Sequence, residues 1–234
     1  MREPVSRLLT AKATGLSPKS LRRAEKRLEE FRPRRIGPYE GVGGYPLDVR
    51  SYREILAVLQ KQLHGLRGRH ILEIGPGSLM SLFALKREGA EVAGLEKFMD
   101  SDRVRVAARG KIPVETRDLE ELPHAFAGRQ FDAVISRLIF EPGGKVKLFD
   151  DYNRLSDPQW QQAATRLSNF AKALNQKIKP RGLLVMQTLN STDIVPHLVP
   201  TAGFEFVYSG WHPSRHRGQE KEMQLIVLRK VRDV

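Results

Sequence analysis

Cysteine is absent from this chain of 234 residues, and aromatic residues make up only 7% of it. The lack of cysteine excludes a disulfide framework, a thiolate zinc site and a cysteine nucleophile. No stretch approaches the ~20 consecutive apolar residues of a membrane-spanning helix. The first ten residues also lack the apolar run of a secretory signal. These absences predict a cytoplasmic protein that stays off the membrane, and the 40% apolar composition predicts a full hydrophobic core.

Acidic residues are scarce relative to basic ones, with 27 Asp and Glu against 40 Lys and Arg. The surplus is concentrated in residues 1–70, which contain 16 basic and 7 acidic residues. A basic arm of this kind raises the affinity for nucleic acid through counterion release and long-range attraction. A solvated, arginine-rich helix face would have the same composition, and the chain contains no aromatic RNA-binding motif. Binding of nucleic acid through this arm is therefore one of two open interpretations.

The most informative stretch is residues 69–98, RHILEIGPGSLMSLFALKREGAEVAGLEKF. Residues 71–74 are apolar except for Glu73, which is typical of a parallel strand buried on both faces. Gly75 and Gly77 then allow a sharp turn and a close approach of the backbone to a ligand. The pattern predicts a strand followed by a turn that faces a ligand.

A helix over residues 79–88 and a second strand over residues 91–95 follow the turn. The second strand brings Glu96 to its carboxyl end, where ligands of open parallel sheets bind. A carboxylate at that position can accept hydrogen bonds from both hydroxyls of a ribose. Met80 stands where the third glycine of the dinucleotide-binding G-x-G-x-x-G pattern belongs. The stretch therefore departs from the pattern of dinucleotide dehydrogenases.

Glu73, Gly75 and Gly77 form an E-x-G-x-G pattern, which resembles the first motif of class I S-adenosylmethionine (SAM) dependent methyltransferases. The ligand of these enzymes is a cationic sulfonium with an amino group and no phosphate, so a nearby carboxylate attracts it. Leu79 replaces the third small residue of the family's motif. The resemblance covers residues 48–230, and it implies SAM as the methyl donor and S-adenosylhomocysteine as the product.

Two later segments also resemble the family. Asp118 and Leu119, after a predicted third strand over residues 112–116, resemble the pair that binds the adenine ring. Capping of a short helix is the alternative role of Asp118, and the two roles are compatible. Arg137 follows a predicted fourth strand over residues 131–136, where the resemblance implies a position beside the transferred methyl group. The cofactor-binding residues that the resemblance implies are Glu73, Gly75, Gly77, Glu96, Lys97, Asp118, Leu119, Ser136 and Arg137.

The remaining periodicity predicts the rest of an α/β fold. Helices are predicted over residues 18–31, 48–64, 102–109 and 157–177, and further strands over residues 179–189, 204–208 and 222–229. The last two strands, joined by a loop over residues 209–221, form an antiparallel pair of the kind that ends the methyltransferase sheet. We expect a doubly wound, seven-stranded, mostly parallel sheet with a terminal antiparallel hairpin and an N-terminal helical basic extension. Residues 1–47 are assigned to this arm and residues 48–234 to the methyltransferase domain.

The acceptor side of the site is predicted mainly from location. By resemblance, Tyr39 and Tyr45 belong to a lid over the acceptor pocket, and packing of a surface loop onto the domain is the alternative role. The candidate general bases are Glu141, Tyr45 and His212, and the candidate acceptor contacts are Tyr39, Tyr45, Glu141 and Trp211. Arg137 stands where metal-dependent catechol methyltransferases have an aspartate, so no metal is expected.

Three functions are compatible with the sequence. The fourth strand is not followed by the Asn/Asp-Pro-Pro-Tyr tetrapeptide of enzymes that methylate exocyclic or amide nitrogens. The segment is closer to the small-molecule branch of the family, although Pro142 excludes the histidine base that commonly follows Glu141 there. The first hypothesis is methyl transfer to an oxygen or nitrogen of a small molecule. The alternatives are an RNA (rRNA or tRNA) methyltransferase that uses the basic arm, and a binding protein that has lost catalysis.

Overall fold

The structure is a computed structural model, and it describes residues 16–30, 49–77, 79–137, 157–188, 202–216 and 219–234. The described helices are α1 (Pro18–Glu30), α2 (Val49–Gln62), α3 (Met80–Arg87), α4 (Ser101–Arg109) and α5 (Asp157–Lys177), with a short 3-10 helix over Leu119–His124. The described strands are β1 (His70–Ile74), β2 (Glu91–Glu96), β3 (Val114–Thr116), β4 (Phe131–Arg137), β5 (Ile178–Thr188), β6 (Phe204–His216) and β7 (Gln219–Lys230).

These strands form one seven-stranded sheet in the order β3-β2-β1-β4-β5-β7-β6. Strands β1 to β5 are parallel, and β7 runs antiparallel to both β5 and β6. The expected α/β sheet with its terminal antiparallel pair is therefore confirmed. β1 lies between β2 and β4, so the direction of the connections reverses at this point. Open α/β sheets bind their ligands at such a reversal, beyond the carboxyl ends of the strands.

Both faces of the sheet are covered by apolar layers. Helices α2 and α3 pack on one face through residues such as Leu59 and Leu82, and α1 adds Leu28 to the same apolar layer. Helix α5 packs on the opposite face through Phe170 and Leu174. Because the central strands are buried on both sides, their sequences are nearly continuous apolar runs. This double burial explains why these strands can be recognised in the sequence.

Helix α1 packs against α2, as the spacing of its apolar residues predicts. Ala24 and Leu28 are buried, while a set of basic side chains on the same helix is exposed. We call this set the basic face: Lys19, Arg22, Arg23 and Lys26. The division of the chain into an arm over residues 1–47 and a domain over residues 48–234 stays a prediction.

The prediction of a loop over residues 209–221 is wrong, because most of these residues belong to strands β6 and β7. β6 continues to His216 and β7 begins at Gln219, so the two strands stay paired along nearly their whole length, with Trp211 opposite Gln224. Strand β6 runs through Gly210 and Pro213. β6 is the edge strand of the sheet, where proline is tolerated because one side of the strand needs no ladder partner.

The other strand at the edge of the sheet, β3, is shorter than predicted and begins at Val114, directly after Pro113. The predicted bounds of the remaining described elements agree with the structure to within two residues at each described end. No helix among the described residues combines the length and the apolar character needed to cross a membrane.

Candidate active site

The turn after β1 has a left-handed backbone at Gly75 (φ 69°), Gly77 (φ 55°) and Leu79 (φ 64°). Glycine adopts this conformation without steric cost, whereas a leucine rarely does. The Leu79 side chain is fully buried in the apolar layer that includes Leu82. Burial in this layer accounts for a leucine where the methyltransferase motif has a small residue. A side chain added at Gly77 would meet no atom within 4 Å, so the backbone of the turn is open to a ligand.

Glu96 lies at the carboxyl end of β2 and is only 6% exposed. Its carboxylate accepts hydrogen bonds from the backbone N–H groups of Gly77 at 3.1 Å and Lys97 at 2.9 Å. These bonds join β2 to the glycine turn and fix the orientation of the carboxylate. Each carboxylate oxygen keeps a second lone pair that can accept a hydroxyl group of a ligand.

Arg103 supports this arrangement from helix α4. Asp100 caps α4: it accepts a hydrogen bond from the backbone N–H of Arg103 at 2.8 Å, and it also accepts one from Nε of Arg103 at 2.9 Å. Nη1 of Arg103 donates to the carbonyl of Gly77 at 3.4 Å and lies 3.8 Å from Oε2 of Glu96. The guanidinium group therefore has anionic partners on two sides and partly balances the charge of Glu96.

Glu73 is 1% exposed and accepts a hydrogen bond from Oγ of Ser81 on α3 at 2.5 Å. Burial raises the pKa of Glu73 to about 7, although the Ser81 hydrogen bond and the charge of Arg137 lower it. The negative charge of Glu96 raises the pKa further. A cation placed beside Glu73 would favour its carboxylate form, so the group suits a positively charged ligand.

Asp118 caps the 3-10 helix, which confirms one of its two predicted roles. Its side chain accepts a hydrogen bond from the backbone N–H of Leu119 at 2.6 Å and lies 2.5 Å from Nζ of Lys97. The hydrogen bond from Lys97 lowers the pKa of Asp118, and the capping bond lowers it further. Lys97 is thus held at the outer rim of the site, and contact of Asp118 with adenine stays a prediction.

Ser136 and Arg137 end β4 on opposite faces of the sheet. The Ser136 hydroxyl is fully buried and has no hydrogen-bond partner within the described residues. Nε of Arg137 donates to Oε1 of Gln187 on β5 at 2.8 Å, and its guanidinium carbon lies 5.3 Å from the centre of the Tyr52 ring. The sequence-predicted residues Glu73 and Arg137 therefore share one polar group with Tyr52 and Gln187.

The sequence did not reveal Tyr52 and Gln187 as site residues. Tyr52 lies on the apolar face of α2, a position that predicts packing alone, and its side chain is completely buried. Gln187 is fully buried near the carboxyl end of β5, and its one signal was a polar residue within the apolar run GLLVMQTL. Neither residue can be linked to β1 and β4 without knowing the sheet order.

The candidate acceptor residues are placed only in part. Tyr39, Tyr45 and Glu141 lie outside the described residues. Trp211 and His212 lie on β6, two strands beyond β5. The described residues contain no group of three or more His, Asp or Glu side chains that could hold a metal ion.

No family model matches this sequence, and no curated protein matches it. Solved structures match its fold. NodS, an N-methyltransferase from Bradyrhizobium japonicum WM9 solved in complex with S-adenosyl-L-homocysteine, matches with a TM-score of 0.52 and 16% identity. The match covers 90% of this chain and 98% of NodS.

Two further solved structures match the fold. PH1948 from Pyrococcus horikoshii, described as a candidate RNA methyltransferase, has a TM-score of 0.58 and 16% identity, covering 89% of this chain and 96% of that one. TrmN from Thermus thermophilus matches with a TM-score of 0.52 and 16% identity. The match covers 74% of this chain and 47% of TrmN, so this chain spans about half the length of TrmN. At these identities the likeness shows that the chain has the class I SAM-dependent methyltransferase fold, as its motifs suggested.

Proposed function

We propose that this protein is a SAM-dependent methyltransferase that binds its methyl donor beyond the carboxyl ends of β1 and β2. The observation that carries the proposal is the geometry of Glu96. Its nearly buried carboxylate is oriented by the N–H groups of Gly77 and Lys97 beside an open glycine turn. A carboxylate so placed fits the two hydroxyls of a ribose. The matching fold of NodS, solved with S-adenosyl-L-homocysteine, supports the same ligand.

The residues of this site fit the charge of SAM as well as its ribose. When bound, SAM supplies a methyl group on a positively charged sulfur. Glu73 and Glu96 are two nearly buried carboxyl groups, and the charge of each acts on the other across the glycine turn. A cationic ligand relieves their repulsion and brings Glu73 fully to its carboxylate form. A dinucleotide pyrophosphate in the same place would be repelled.

The task left to the protein is alignment. The acceptor atom, the methyl carbon and the sulfur must lie nearly in line, with the reacting atoms ~3 Å apart in a site closed to water. An amine acceptor needs little more, whereas a hydroxyl acceptor also needs a base to take its proton. Glu141, Tyr45 and His212 stay the candidates for that base, and Tyr39 and Tyr45 the candidates for a lid.

We further propose an oxygen or nitrogen of a small molecule as the acceptor, in the cytoplasm. The support is the compact polar group of Tyr52, Arg137 and Gln187 at the carboxyl ends of β4 and β5. This group joins helix α2 to the sheet. A base held in an RNA duplex would have to be flipped out of its stack to approach such a group, whereas a small molecule would not. The sequence also lacks the Asn/Asp-Pro-Pro-Tyr tetrapeptide of enzymes that methylate exocyclic or amide nitrogens.

RNA is the second candidate acceptor, and the basic face of α1 favours it. Lys19, Arg22, Arg23 and Lys26 are exposed on one helix. If the acceptor is RNA, binding of a tRNA or rRNA fragment weakens steeply, by roughly 100-fold or more, between 50 and 200 mM salt. Replacing these four basic residues with neutral ones should make RNA binding less dependent on salt concentration. A salt-independent affinity excludes RNA as the acceptor.

The first test is calorimetric titration with S-adenosylhomocysteine. Glu96→Ala removes the ribose acceptor and frees the two backbone N–H groups, so we expect roughly 100-fold weaker binding. Glu91→Ala is the matched control, because Glu91 lies at the opposite end of β2, pairs with His70 and is exposed. Equal binding by wild type and Glu96→Ala would contradict the proposed site. A folded wild type that binds neither SAM nor its product is instead a binding protein that has lost this chemistry.

A further inference from the structure

Basic side chains from three neighbouring helices meet on one side of the sheet. Arg27 of α1 forms an ion pair with Glu88 at the end of α3. Nζ of Lys86, near the end of α3, donates to the carbonyls of Gly110 at 2.7 Å and Lys111 at 2.9 Å, directly after α4. The buried side chains of α1, α3 and α4 belong to the same apolar layer. The end of α3 therefore links α1 to the end of α4.

The loop before β1 joins this surface. The backbone N–H of Gly68 donates to the carbonyl of Gly89, in the loop after α3, at 2.8 Å. The neighbouring Arg67 packs against Gly89, since its Cα lies 3.2 Å from the position that a Cβ of Gly89 would take. Five basic side chains are exposed on these elements. We define the basic belt as the basic face of α1 together with these five residues: Arg67, Lys86, Arg87, Arg109 and Lys111.

Acidic residues are scarce along the basic belt. Residues 61–69, 86–89 and 105–111 contain eight Lys and Arg and a single acidic residue, Glu88. Glu88 is already paired with Arg27. The belt therefore carries a net positive charge over the ends of α3 and α4 and over the loop before β1, as well as on α1.

The stability of α1 does not explain its basic face. The first turn of α1 contains Lys19 and no acidic residue, although the positive end of the helix dipole disfavours a cation there. Lys19 and Arg23 are four residues apart, and so are Arg22 and Lys26, so each pair places two like charges one turn apart. Such pairs weaken a helix. A polyanion bound to this face would relieve both effects.

The basic belt extends to the side of the sheet opposite the candidate active site. Helices α3 and α4 end where the chain enters β2 and β3, at the amino ends of the strands, whereas Glu96 lies at the carboxyl end of β2. We propose that the basic belt binds the phosphate backbone of a nucleic acid, at a site separate from that of the methyl donor. Lys and Arg on such a surface neutralise phosphates and release counterions, which gives affinity without regard to base sequence. This inference does not rest on the proposed methyltransferase function.

An anionic membrane would also be attracted by a basic helix, but the packing of α1 favours a nucleic acid. An amphipathic helix binds a membrane by burying its apolar face at the lipid surface. In α1 that face is already covered, because Ala24 and Leu28 are buried and the helix packs on α2. The helix therefore offers charge without an apolar anchor, which suits a phosphate backbone.

The test measures fluorescence anisotropy of a labelled short RNA strand and a labelled short DNA duplex, with neither SAM nor S-adenosylhomocysteine present. The variant Arg23→Gln/Arg109→Gln/Lys111→Gln removes three charges from the belt. We expect it to bind roughly 10-fold or more weakly than wild type at 50 mM salt. The slope of log affinity against log salt concentration should fall by about 2, because each lost phosphate contact lowers it by ~0.7–0.9.

A matched control removes the same charge outside the belt. Arg129 and Arg181 lie near the starts of β4 and β5, Lys172 lies on α5, and all three are exposed. The variant Arg129→Gln/Lys172→Gln/Arg181→Gln should stay within about 3-fold of wild type, because it changes only the long-range attraction. Equal weakening by the two triple variants would overturn the inference, since net charge alone would then explain binding.

Lys19→Glu separates loss of binding from loss of structure. The glutamate removes the cation from the first turn of α1 and lies four residues before Arg23, where an opposite charge supports the helix. We expect a higher urea midpoint than that of wild type, together with roughly 5-fold or greater loss of affinity for both probes. Unfolding cannot cause weaker binding by a more stable protein. Unchanged affinity in this variant would remove α1 from the binding surface and contradict the belt.

The donor site provides the last comparison. Saturating S-adenosylhomocysteine and the substitution Glu96→Ala should both leave nucleic-acid binding unchanged. Competition by S-adenosylhomocysteine would place the nucleic acid in the candidate active site and overturn the inference, as would wild type that binds neither probe at 50 mM salt, or that binds only vesicles containing phosphatidylserine. If wild type fails to bind S-adenosylhomocysteine, the proposed function fails, and the anisotropy titrations still decide the role of the belt.

Discussion

The two ends of the sheet differ in how completely their buried polar groups are bonded. At the amino end, the Lys230 ammonium group is 1% exposed and donates to the carbonyls of Asn175 and Ile178, each at 2.8 Å. At the carboxyl end, the buried Ser136 hydroxyl has no hydrogen-bond partner within the described residues, and the buried Tyr52 hydroxyl, although close to Ser81 and Glu73, makes no hydrogen bond of normal geometry there. Oδ1 of Asn175 is an exception at the amino end.

The Asp132 carboxylate, also at the amino end of the sheet, likewise has hydrogen-bond donors. It accepts hydrogen bonds from the backbone N–H of His70 at 2.8 Å and from Nζ of Lys179 at 2.9 Å. Burial raises the pKa of Asp132, but these bonds hold it below its ordinary value. Native proteins bond nearly all their buried polar groups, so unbonded capacity concentrated at one end indicates where a ligand completes the structure. We therefore expect the amino end to contribute chiefly to stability, and the carboxyl end is where we propose that the ligand binds.

Lys230→Met tests the amino end and should have the largest effect on stability. The substitution keeps the apolar stem but removes the hydrogen bonds that the ammonium group donates to the carbonyls of Asn175 and Ile178 and its ion pair with Asp233. We expect a loss of about 3 kcal/mol in the free energy of unfolding, measured with urea, and an unchanged affinity for S-adenosylhomocysteine. Lys179→Met is the control, because Lys179 is 37% exposed and its ion pair should contribute below about 1 kcal/mol. Equal losses in the two variants would contradict the comparison.

The sequence reveals those parts of the molecule that are local. Glu73, Gly75, Gly77 and Glu96 lie within one strand, turn, helix and strand, so their spacing alone predicts that they meet. Capping by Asp100 was also predictable, because a cap depends on neighbours within one helical turn.

The carboxyl ends of β4 and β5 were harder to predict because their contacts are non-local. Arg137 meets Gln187 from another strand and Tyr52 from a helix that precedes the sheet. Tyr52 has the sequence pattern of a core residue and is buried like one, so its position beside two charged groups emerges only from the packing. The continuation of β6 past Gly210 and Pro213 was missed because edge strands tolerate residues that end central strands.

Glu73→Gln tests the carboxyl end, where we expect the charge of Glu73 to favour binding of the cationic ligand and to lower the stability of the fold. The folded pKa of Glu73 is about 7 against an ordinary 4.5, so wild type loses stability as the pH rises from about 4.5 through 7. The glutamine does not ionise and can still accept from Ser81. We expect the free energy of unfolding of Glu73→Gln to exceed that of wild type by about 2–3 kcal/mol at pH 8 and by below about 1 kcal/mol at pH 5, as measured by urea unfolding at both pH values.

Glu73→Gln should also weaken binding of SAM, because it removes the charge that attracts the cation. Glu91→Gln is the exposed control and should leave stability unchanged at both pH values. A gain that is the same at pH 5 and pH 8 would show that ionisation of Glu73 is not its cause. A variant that is more stable and yet binds SAM as well as wild type would remove Glu73 from the site.

Asp118 lies at the rim of the carboxyl end and should give the smallest change in stability. Serine caps helices about as well as aspartate, and the ion pair with Lys97 is 42% and 45% exposed, so Asp118→Ser should alter the free energy of unfolding by below about 0.5 kcal/mol. Asp118→Ala loses the cap and should lower the free energy of unfolding by about 1 kcal/mol.

If Asp118 also accepts the adenine amino group, both variants bind S-adenosylhomocysteine roughly 10-fold more weakly. S-inosylhomocysteine, in which a carbonyl replaces that amino group, should then bind wild type and Asp118→Ser with similar affinity. Equal affinity of wild type and Asp118→Ser for S-adenosylhomocysteine would instead leave Asp118 as a helix cap and move the adenine contact to another residue.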